Sequence, residues 1–135
     1  MKVQNADGKW GIIDANGRVL GQVMWDKIGD FSDGMAMVAV NTGGSIYNPV
    51  YKYGFINESG QTIGEVRWEE VRVFSNGYAA VKEKGYWGFI NKQNVLVIPC
   101  QYAEVSDFRE DGTCDVKNKD GTWQVINTSG EVSFF

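Results

Sequence analysis

The chain has 135 residues and a net charge of −4, with a pI near 4.8, an acidic balance that argues against nucleic acid or an anionic membrane as partner. It is 43% hydrophobic and 13% aromatic, enough for a packed core, and its 17 glycines against 2 prolines point to many tight turns. With no histidine and two cysteines, imidazole-based nucleophile systems and the usual zinc sets are excluded, and no metal, cofactor or catalytic set is expected.

The opening MKVQNADGKWG has no apolar stretch after its lysine and does not read as a signal peptide, which favours the cytoplasm. A piece of a longer, cell-surface protein is the alternative. Met1 to Asn5 reads as the last strand of a repeat unit, because Val3 precedes Trp10 by the same seven positions that separate Val116 from Trp123.

A short phrase then recurs. Trp10-Gly11-Ile12-Ile13-Asp14 is followed by Tyr53-Gly54-Phe55-Ile56-Asn57, Trp87-Gly88-Phe89-Ile90-Asn91 and Trp123-Gln124-Val125-Ile126-Asn127. The leading rings lie 43, 34 and 36 positions apart, so the period is about 35 residues. After each phrase comes a turn (Asn16-Gly17, Ser59-Gly60, Gln93-Asn94, Ser129-Gly130). In the first three copies a second ring follows at Trp25, Trp68 and Tyr102, then Ile28, Val71 and Val105, then Phe31, Phe74 and Phe108. A turn glycine (Gly34, Gly77, Gly112) then introduces an alternating strand, of which Ala79-x-Val81 is one example.

Each unit therefore predicts four short strands. In the second copy they are the YGFI strand, Thr62 to Val66, Glu70 to Phe74 and Tyr78 to Glu83. Asp14, Asn57, Asn91 and Asn127 are placed to close side-chain turns. The glycine after the ring leaves room for a close backbone approach. One such unit cannot bury its rings alone, so neighbouring units must stack. The expected core is Trp10, Trp25, Phe31, Tyr53, Trp68, Phe74, Trp87, Tyr102, Phe108 and Trp123. The longest apolar run, Met35 to Val40, is far short of the ~20 residues that span a bilayer.

These residues, in this order, resemble the WG-repeat (KWG-repeat) family of bacterial proteins over roughly residues 2–130. The resemblance implies an extended β module, often joined to other domains, with no established common activity. The second copy departs from the pattern at Tyr53, and the fourth departs at Gln124 and stops after its first hairpin.

The expected architecture is all-β, with short antiparallel hairpins in tandem repeats stacked as an open twisted array. The alternative is a propeller-like ring in which the N-terminal strand completes the C-terminal unit. The single repeat domain, 1–135, divides into a partial unit 1–8, units 9–51, 52–85 and 86–121, and a partial unit 122–135.

Cys100 and Cys114 fall in slots that hold Val or Ala in other copies and read as small core residues, with a Cys100–Cys114 disulfide as the alternative. The Asp/Asn/Gly turns lack the oxygen spacing of a calcium loop, and the paired acids Glu69-Glu70 lie on strand faces opposite the core.

The first unit alone carries an insertion, residues 41–51, containing Ile46-Tyr47-Asn48-Pro49-Val50-Tyr51. Insertions in repeat proteins map to loops on one face, often the binding face. Ile46, Tyr47, Pro49, Val50 and Tyr51 are the candidate binding residues. The reading set against this one is an extended hairpin that covers the core. The expected role is a non-catalytic module that binds another protein. The alternatives are a cell-wall or carbohydrate-binding module and a spacer from a longer array. Edge strands also offer a route to self-association.

Overall fold

The computed structural model describes residues 1–43 and 49–132. All its regular elements are strands: β1 (Lys2–Gln4), β2 (Trp10–Ile13), β3 (Val19–Trp25), β4 (Lys27–Ile28), β5 (Met35–Asn41), β6 (Tyr51–Asn57), β7 (Thr62–Trp68), β8 (Glu70–Val71), β9 (Tyr78–Glu83), β10 (Tyr86–Asn91), β11 (Leu96–Tyr102), β12 (Glu104–Val105), β13 (Thr113–Lys117) and β14 (Trp123–Asn127). They form four small open sheets of order β1-β2-β3, β4-β5-β6-β7, β11-β10-β9-β8 and β12-β13-β14. The ladders with a defined register are all antiparallel. The expected all-β architecture of short antiparallel hairpins in tandem holds. β1 lies at the edge of the first sheet and pairs with β2, not with the C-terminal strands.

The sheets are out of phase with the sequence repeat. Each complete sheet takes the last two strands of one repeat and the first two of the next. β9, for example, pairs with β10 across the repeat boundary, placing Ala80 opposite Phe89 and Lys82 opposite Trp87. The covalent repeat therefore links one sheet to the following one.

Local chemistry sets the hairpins. Asn76 and Gly77 both have positive φ (53° and 89°), the backbone of a type I′ turn, between the bridged pair Ser75 and Tyr78. Asp14, Asn57, Asn91 and Asn127 each accept two backbone N–H bonds, from the residues two and four positions on, at 2.8 to 3.0 Å. The recurring Asp/Asn is thus a turn residue in all four copies. The expected third strand is shorter than Glu70 to Phe74: β8 stops at Val71. Beyond it one further backbone bond, from Arg72 N–H to the Ala80 carbonyl, leads into the Ser75–Tyr78 turn.

The chain falls into two compact units, Met1–Arg67 and Trp68–Phe135. In the first, Ile12 and Trp25 of the first sheet pack with Ala36, Val38 and Ile56 of the second. In the second unit, Trp87, Phe89, Ile98 and Tyr102 of the third sheet pack with Val105, Phe108, Cys114, Val116 and Ile126 around the fourth. Phe108 meets Phe89 edge-on at 4.7 Å and Tyr78 at 5.0 Å, geometries that favour aromatic pairs.

Six of the ten expected core rings are buried: Trp25, Trp68, Phe74, Trp87, Tyr102 and Phe108. Trp10 and Tyr53 are half-buried. Phe31 and Trp123 depart from the expectation, at 36% and 56% exposed. Phe108 meets the rings of Tyr78 and Phe89; the slot that corresponds to Phe89 beside Phe31 holds Ile12, which brings no ring. Trp87 lies opposite Tyr102 on β11; among the described residues none is paired with Trp123 in that way.

Candidate functional site

The inserted segment of the first repeat extends the β5–β6 hairpin into an arm. The ladder runs unbroken from Met35↔Asn57 to Asn41↔Tyr51, and the Thr42 N–H then donates to the Val50 carbonyl at 2.8 Å. Of the five candidate binding residues, Ile46 and Tyr47 lie outside the described residues. Pro49 is exposed, Val50 is 52% exposed, and Tyr51 is half-buried at the shoulder of the arm.

Tyr51 is held by two neighbours. The Lys27 ammonium lies 4.0 Å from the centre of its ring, a cation–π contact. The Tyr53 ring stands 6.4 Å away, tilted by 51°. Lys27 reaches this position because β4 pairs with β5, setting Lys27 opposite Ala39, which in turn faces Tyr53.

The foot of the arm is tied electrostatically. One Asp26 carboxylate oxygen accepts the Asn41 backbone N–H at 2.7 Å, and the other pairs with the Lys9 ammonium. The Asp26 N–H donates to the Ala39 carbonyl at 2.9 Å. The Lys9 hydrogen bond, then the Asn41 N–H, hold the Asp26 carboxyl below its ordinary range. A carboxylate whose folded pKa is depressed contributes stability above its unfolded value, near ~3.9, and loses it as pH falls through the folded value. The thermal midpoint of the wild type is therefore expected to exceed that of Asp26→Asn at neutral pH. The gap should close below about pH 4, as thermal melts across pH 2 to 7 would show. A gap that stays constant to the lowest pH would contradict the tie.

Sequence reasoning found the arm, because the insertion breaks the repeat. It missed Asp26 and Lys27, which precede Ile28; the available signal was a lysine at 27 where the other copies carry Glu70 and Glu104.

The remaining candidates separate cleanly. Cys100 and Cys114 are thiols rather than a disulfide. Burial pushes the Cys114 thiol up to about 12, far from nucleophilic range. Among the described residues no three His, Cys, Asp or Glu side chains group as a metal site.

A family model described as WG containing repeat matches residues 10–41, 53–87 and 87–123. The chain belongs to this family. A search of curated proteins finds no match. The family match covers most of the described strands, and its three copies begin at Trp10, Tyr53 and Trp87, the leading rings of the phrase. As a WG-repeat protein the chain is a tandem-repeat module, and the arm falls between the first and second matched copies.

Proposed function

We propose that this WG-repeat chain is a non-catalytic module that binds a protein partner through the β5–β6 arm. The observation that carries the reading is the arm itself. A paired hairpin runs on past the repeat pattern as far as Thr42 and Val50 and presents exposed Pro49 and Val50 beside a Tyr51 already fixed by Lys27 and Tyr53. A tyrosine whose rotamer is held before binding costs little entropy on association and offers both an apolar face and a hydroxyl, the properties that make Tyr common at interfaces. Asp26 and Lys9 fix the arm's foot, so the residues at its shoulder are presented on a rigid ladder.

The test compares wild type with a variant in which residues 43–50 are replaced by Gly-Asn, both confirmed folded by circular dichroism. Each is used to capture proteins from a lysate of the source organism, with mass spectrometry as the readout. A protein enriched by the wild type alone is the expected result. Equal enrichment by both chains, or none by either, would remove the arm from the function.

A further inference from the structure

One slot of the repeat carries an acid in two copies and alanine in the third. Asp26, Glu69 and Ala103 each stand just before a two-residue strand, β4, β8 or β12. Their N–H groups donate to equivalent carbonyls, those of Ala39, Lys82 and Lys117, at 2.9, 2.9 and 2.8 Å. The backbone frame is therefore the same in all three copies. The acids act on the residue two positions past that carbonyl. The Asp26 carboxylate accepts the Asn41 N–H at 2.7 Å, and the Glu69 carboxylate accepts the Lys84 N–H and, at 3.3 Å, that of Gly85. Ala103 has no carboxylate to offer, and the equivalent donor, the Lys119 N–H, has no acceptor among the described residues.

The cation of the arrangement is kept. In the first unit Asp26 pairs with Lys9, the residue before the leading ring Trp10. In the second unit the slot before Trp87 is Tyr86, and the Lys119 ammonium lies 4.3 Å from the centre of that ring. Among the described residues no carboxylate forms an ion pair with Lys119. Lys119 lines a groove of about 540 Å³ with Gln101, Tyr102, Asn118 and Asp120. Asp120 turns one carboxylate oxygen to the Thr122 N–H and hydroxyl, at 2.9 and 2.6 Å. We propose that the third copy takes its carboxylate from outside: an acidic side chain of a partner protein enters this groove, accepts the Lys119 N–H and pairs with the Lys119 ammonium. The occupant is specified by the molecule, which fills the same slot with Asp26 and Glu69 in the other two copies. Both contacts are charge-assisted, the stronger class of hydrogen bond. The site lies in the second unit and does not depend on the arm.

An NMR titration of the full chain tests this, with acetyl-glutamate amide as the probe for an acidic side chain and acetyl-glutamine amide as its neutral counterpart. The backbone amide of Lys119 is expected to move with the glutamate probe alone and to saturate in the millimolar range, as befits about two charge-assisted bonds. Lys119→Gln keeps the N–H and removes the ammonium, and should weaken the glutamate probe by about tenfold. Ala103→Glu places in the slot the acid that the preceding copy carries as Glu69. In that variant the Lys119 amide should start out shifted and no longer respond to the probe, and the thermal midpoint should rise by a few degrees. Equal shifts with both probes, or none with either, would overturn the proposal. So would an Ala103→Glu chain that still responds as the wild type does, or one that melts below it.

Discussion

Replacing Trp87 by alanine is expected to destabilise the protein by about 3–5 kcal/mol, the usual cost of deleting a buried indole. Trp87 is 6% exposed and lies opposite Lys82 on one side and Tyr102 on the other. The Arg72 guanidinium lies 4.8 Å from the centre of its ring and the Lys82 ammonium 5.8 Å. Removing the indole leaves a cavity between two sheets and strips both cations of their aromatic partner. The thermal midpoint should fall by on the order of 10 °C or more. Trp123→Ala is the matched comparison. It removes the same side chain from the same slot, but at 56% exposure its cost should stay under about 1 kcal/mol. Both are measured at the same low micromolar concentration. Two equal losses, or a Trp87→Ala midpoint within a few degrees of wild type, would mean that the buried ladder is not what holds the second unit together.

That comparison also shows where the sequence was readable and where it was not. The repeat assigns a residue to a slot, and the slot fixes the local conformation. Every Asp or Asn after the phrase closes the same turn because the bonds it makes run to backbone two and four residues away. Burial is not local in this sense. Trp87 and Trp123 are identical as letters, but Trp87 lies between two strands and within the core, whereas Trp123 is 56% exposed. Phe31 and Phe108 part for the same reason, Ile12 standing where Phe108 finds the ring of Phe89. Phase is hidden too: a period says how often the chain repeats but not where a sheet begins, so the pairing of the last strand of one repeat with the first of the next had to come from the ladders. In the candidate site the insertion was visible because it interrupts the period. The supports of Tyr51 were not, because Lys27 reaches it only through the β4–β5–β6 register.

The glycine of the repeated phrase makes the strongest prediction about the fold. The β10–β11 ladder shifts register between Trp87 and Phe89: Trp87 faces Tyr102, but Phe89 faces Ile98. Pro99, Cys100 and Gln101 are therefore crowded opposite Gly88 alone. A Cβ at Gly88 would stand 2.3 Å from the Ile98 carbonyl oxygen, 2.7 Å from the Pro99 carbonyl carbon and 2.8 Å from the Cys100 nitrogen. All three are backbone atoms, so no rotamer change relieves the contact and the bulge itself must move. The same slot is tight in the other copies, where a Cβ at Gly11 or Gly54 would meet the Cα of Val23 or Val66 at 3.0 Å. Gly88→Ala is accordingly expected to cost about 3 kcal/mol, the upper end of the usual overpacking range, although it adds one methyl group to a residue with no left-handed backbone requirement. The fourth copy supplies the control from within the molecule. Gln124 fills this slot and is exposed, and Gln124→Ala should change stability by less than about 0.5 kcal/mol. Denaturant midpoints of the two variants decide the matter. If Gly88→Ala were as mild as Gln124→Ala, close backbone approach would not be the reason that glycine follows the ring.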